Sequence, residues 1–94
     1  MTEQELTELM QNSQVNLSIP VYKCFLALLI TTEKIDRSQD VFTSVFYGVE
    51  ASYLINSIID AIPESKEFFE TYPSPTINAL VNKKTQAYPL SQQE

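Results

Sequence analysis

Ninety-four residues make one domain at most, and with 44% hydrophobic and 19% charged residues the chain is too apolar to be fully disordered. A single glycine, Gly48, weighs against a strand-rich fold, because tight turns usually need glycine. The formal net charge of −6, with Lys23, Lys34, Arg37, Lys66, Lys83 and Lys84 scattered rather than striped, argues against nucleic acid and anionic membrane as partners.

In chain order, Thr2 and Glu5 form a capping box, followed by apolar Leu6, Leu9 and Met10 on one face. This spacing predicts a short amphipathic helix from about Glu3 to Gln11 that must dock on a neighbour to be stable. Asn12 to Ser18 reads as a polar linker anchored by Val15 and Leu17. Ser18 and Pro20 then signal a helix start, and the second helix is expected from about Ile19 to Thr32. It is apolar nearly all round between Val21 and Ile30, which predicts burial on most sides.

Glu33–Arg37 reads as a polar connection in which Asp36 caps the third helix, with Gln39 at the capping-box position. That third segment runs from about Ser38 to Ile62, where Pro63 enforces a boundary. A fourth helix is expected over Glu64–Thr71. Pro73 ends it, and Ser74-Pro75 starts a fifth around Ile77, Leu80 and Val81 that closes on Lys83 and Lys84. The expectation is an all-α fold: a small bundle of about five helices around a central antiparallel pair, with no sheet. Residues 1–84 form the single helical domain, and 85–94 form a mobile tail dispensable for folding.

The residues carry little chemistry. There is no histidine, so the commonest general base and zinc ligand is missing. One cysteine, Cys24, makes no internal disulfide and sits in an apolar run, so it is expected to be buried and inert. Asp36, Ser38 and Asp40 resemble the start of a calcium loop, but Val41 stands where the turn glycine belongs and Tyr47 where the closing glutamate belongs. Glu64, Glu67 and Glu70 read as an exposed helix face. No catalytic, cofactor or metal site is assigned. The N-terminus has neither a basic nor an apolar region of a signal peptide, and no run is long enough to span a membrane, so a cytoplasmic location, of a cell or an infected host, is expected.

What remains is a non-enzymatic protein-interaction module: a small acidic helical inhibitor, adaptor or regulatory subunit that binds a larger protein or itself as a homodimer. The alternative is an apolar-ligand binder or sensor with a pocket between helices, given ten aromatic residues. The third segment bears on the choice. On a helical wheel with Val41 at zero, Phe42, Val45, Phe46, Val49 and Tyr53 fall between about 0° and 140°, whereas Leu54, Ile55, Ile58, Ala61 and Ile62 fall between about 200° and 320°. The apolar stripe changes sides near Glu50–Tyr53. With no proline inside the segment, a continuous helix is expected, its halves packing against different neighbours. The stripe Leu54, Ile55, Ile58 and Ile62 is taken as the interface with another polypeptide. The competing expectation is that the C-terminal helices fold back over it.

Overall fold

The computed structural model describes residues 2–15 and 18–85, with the side chains of 83–85 left aside. Five helices occur among the described residues: α1 (Glu3–Asn12), α2 (Val21–Arg37), α3 (Val41–Ala61), α4 (Ser65–Glu70) and α5 (Pro75–Thr85). The fold is all-α. Its one departure is a minimal antiparallel pair, β1 (Gln14–Val15) with β2 (Ile19–Pro20), in the register Val15 to Ile19. The polar linker expected there is a hairpin. It brings the chain back so that the Val21 N–H donates to the Ser13 carbonyl at 2.9 Å, at the start of α2. Leu17, expected as an anchor, lies outside the described residues, as do the side chains of Lys83 and Lys84 and the tail 86–94.

α1 forms as its capping box dictates. Glu5 N–H donates to Thr2 Oγ1 at 3.1 Å, and Thr2 N–H donates to Glu5 Oε1 at 2.8 Å. Leu6 and Met10, one turn apart, are its buried residues. Docking on α2 supplies the stabilisation that a ten-residue helix lacks alone.

α2 overruns its expected end by five residues, from Thr32 to Arg37. The segment Glu33–Arg37 is polar because it faces water, and it contains no helix breaker. Ile35 still packs on the core, and Glu33 and Arg37 form an exposed i,i+4 ion pair at 3.4 Å. The reversal is therefore only Ser38–Asp40. Asp40, rather than Asp36, caps α3 by accepting from Thr43 N–H at 2.9 Å. Asp36 instead accepts a hydrogen bond from Thr76 Oγ1 on α5. The burial expected around most of α2 is also incomplete, because Leu26 and Ile30 are exposed. Five short helices leave too few neighbours to cover an apolar helix on every side.

α2 and α3 form the central antiparallel pair: Thr31 Oγ1 donates to Glu50 at 3.4 Å, and three residues along α2 the Lys34 ammonium lies over the Tyr47 ring, three residues back along α3. The core fills from every helix, with Leu6 and Met10 from α1, Val21, Cys24 and Leu28 from α2, Ala51, Ile55, Ile58 and Ile59 from α3, Phe69 from α4, and Ile77, Leu80 and Val81 from α5. Phe25 meets Phe68, Phe69 and Tyr72 edge-on or tilted at ring separations of 5.9–6.4 Å, which ties α2 to α4. Asn78 turns back from α5 and donates to the carbonyls of Phe69, Glu70 and Tyr72, at 2.8, 3.2 and 3.1 Å. It thereby satisfies the carbonyls that a short helix leaves open at its end.

Candidate functional site

α3 is one unbroken helix of 21 residues, and it contains the feature that stands out on the surface. Its C-terminal half behaves as a core helix. Ala51, Ile55 and Ile58 are fully buried, Ile59 and Ile62 nearly so, and Leu54 packs half-buried against them. The stripe Leu54, Ile55, Ile58 and Ile62, expected from the sequence to meet another polypeptide, therefore lies against the chain's own helices. The fold-back reading holds for these residues: α1, α4 and α5 contribute Leu6, Met10, Phe69, Ile77 and Val81 to the same core. That leaves no free surface at Ile55 and Ile58 for a partner.

The N-terminal half is the reverse. Val41, Phe42, Val45, Phe46, Val49 and Tyr53 are between 60% and 83% exposed. Scattered exposed apolar residues are ordinary on any protein, but six on one helix face form a contiguous patch. Their rows have a definite shape. Val41, Val45, Val49 and Tyr53 follow one another at i+4 and make a ridge, and Phe42 and Phe46 begin a second ridge beside it. On the other flank, Ser44, Gly48 and Ser52 make a parallel row of small residues. This row floors an open groove of about 620 Å3 against the valine ridge. Next to it, Ser44 and Gly48 face Pro75, Thr76, Ala79 and Leu80 of α5 across a second open groove.

Gly48 has no internal steric reason to be glycine, since a Cβ there would meet nothing within 4 Å. In a helix interior glycine costs roughly 0.5–1 kcal/mol relative to alanine. The patch is also nearly uncharged. Glu50 is the one charged residue between positions 41 and 53, and its carboxylate accepts from Thr31 Oγ1.

Other groups with chemical potential are accounted for locally. Cys24 is buried in α2, and loss of solvation pushes its thiol pKa up, which keeps it protonated. Glu64, Glu67 and Glu70 are exposed on or beside α4, where Glu70 pairs with Lys66 at 2.8 Å. Among the described residues no group of three or more Cys, Asp or Glu could hold a metal, and no helix is long and apolar enough to cross a membrane. The largest aromatic residues do not enclose a cavity. Phe42, Phe46 and Tyr53 are exposed, while Phe25 packs half-buried against the core.

No protein-family model matches the chain, and no curated protein or solved structure is similar enough to it to count as a match.

The sequence pattern located both apolar stripes of α3, and the stripe taken from it as the interface, Leu54, Ile55, Ile58 and Ile62, is the one packed against the chain's own core. A hydrophobic wheel gives the direction of each stripe relative to the other. It does not say which direction points inward. A signal was present in the N-terminal half, where the small row Ser44, Gly48 and Ser52 runs beside the valine ridge with no bulky partner of its own.

Proposed function

We propose that this chain is a protein-interaction module that acts by contact rather than by catalysis, through the N-terminal half of α3. The observation that supports this reading most is the exposed face of Val41, Phe42, Val45, Phe46, Val49 and Tyr53. Aromatic side chains expose on the order of 150–250 Å2 each, so three of them with three valines present roughly 800 Å2, and one partner of a standard protein–protein interface contributes about as much. Interface cores are enriched in Phe and Tyr and depleted in charge, and this face has both properties. An inhibitor, adaptor or regulatory subunit needs little beyond such a surface on a rigid support. The C-terminal half of the same helix, locked into the core, supplies that support. A reducing, cytoplasmic setting belongs to the same proposal, since the chain has one cysteine and that cysteine is buried.

The alternative of a small-ligand pocket finds less support. The groove beside the valine ridge is large enough for a ligand, but it is an open trough formed along one helix, whereas ligand sites enclose most of their ligand.

Site-specific photo-crosslinking in the cell that makes the protein tests the proposal. A photoreactive phenylalanine analogue at position 46 is expected to form discrete protein adducts. The same group at position 67, on the exposed face of α4, is expected to form none. Equal yields at the two positions would remove α3 as the contact surface.

A further inference from the structure

We draw no further inference here: the strongest candidate, the exposed apolar face of Val41, Phe42, Val45, Phe46, Val49 and Tyr53 on the N-terminal half of α3, carries nothing beyond the contact reading above, because nothing in the structure shows what covers it.

Discussion

The two halves of α3 have similar apolar content and opposite fates. From Leu54 to Ile62 the four isoleucines Ile55, Ile58, Ile59 and Ile62 face the bundle and are buried, Leu54 is half-buried against them, and Asp60 and Ala61 are exposed. From Val41 to Tyr53 the inward side is occupied by Ser44, Tyr47, Gly48 and Ala51, and the valines and phenylalanines point to water. The helix does not twist or break between them. Its inward direction stays constant, and the apolar pattern rotates past it. A continuous helix can thus belong to the core at one end and turn an apolar face to water at the other, because the sequence rather than the backbone decides which side is apolar.

The sharpest way to break this comparison is to put the same charge into each half. Ile58→Asp buries an unpaired carboxylate at a fully enclosed position and is expected to cost about 4 kcal/mol or more. That is enough to unfold a chain of this size, whose stability margin is small. Val49→Asp, on the exposed face, should alter the stability of the monomer by less than about 0.5 kcal/mol. Urea unfolding followed by circular dichroism, at concentrations where the chain is monomeric, distinguishes the two. Equal losses would mean that the N-terminal half is buried after all.

A smaller effect is expected at the point where the small row crosses the helix. Gly48→Ala adds a Cβ into open space and removes backbone freedom from the unfolded chain, so the monomer should gain roughly 0.5–1 kcal/mol. A loss of stability would show that the trough is narrower than the contacts around Gly48 indicate.

The smallest effect concerns how the exposed half is started. Asp40 caps α3, and its carboxyl is held below the ordinary aspartate value, chiefly by the hydrogen bond from Thr43 N–H and then by that from Thr43 Oγ1. A depressed folded-state pKa contributes stability that is present above the unfolded value of about 3.9. That contribution is lost as pH falls through the folded value. Asp40→Asn keeps a capping oxygen without a titrating charge. The difference in melting temperature between wild type and Asp40→Asn should therefore be constant near neutral pH and shrink below about pH 4. A difference that does not change with pH would show that Asp40 does not titrate against the helix end. Using the difference between variants cancels Glu5, whose carboxyl is lowered in the same direction by its capping box with Thr2.

Much of the local structure was legible from residue order. Thr2 with Glu5 set the start of α1, Pro63 and Pro73 bounded α4, and Ser74-Pro75 opened α5, because caps and prolines act on backbone groups within one turn. The absence of proline in residues 41–61 likewise determined that α3 runs unbroken through its change of face. Polar residues were a poorer guide. Glu33–Arg37 looked like a connection and is helix, since polarity reports exposure and not the end of a hydrogen-bonded ladder.

Tertiary structure alone decided three things. It chose Asp40 over Asp36 as the cap, because the length of α2 sets which aspartate reaches the next helix. It recruited Asn78 to close α4, a contact across nine residues that no local pattern announces. And it selected the inward face of α3, because the direction in which two apolar stripes are used depends on where α1, α4 and α5 come to rest. Those positions are set by the packing of Leu6, Met10, Phe69, Ile77 and Val81 around Ile55 and Ile58, a cooperative property of the whole core that the periodicity of one helix does not contain.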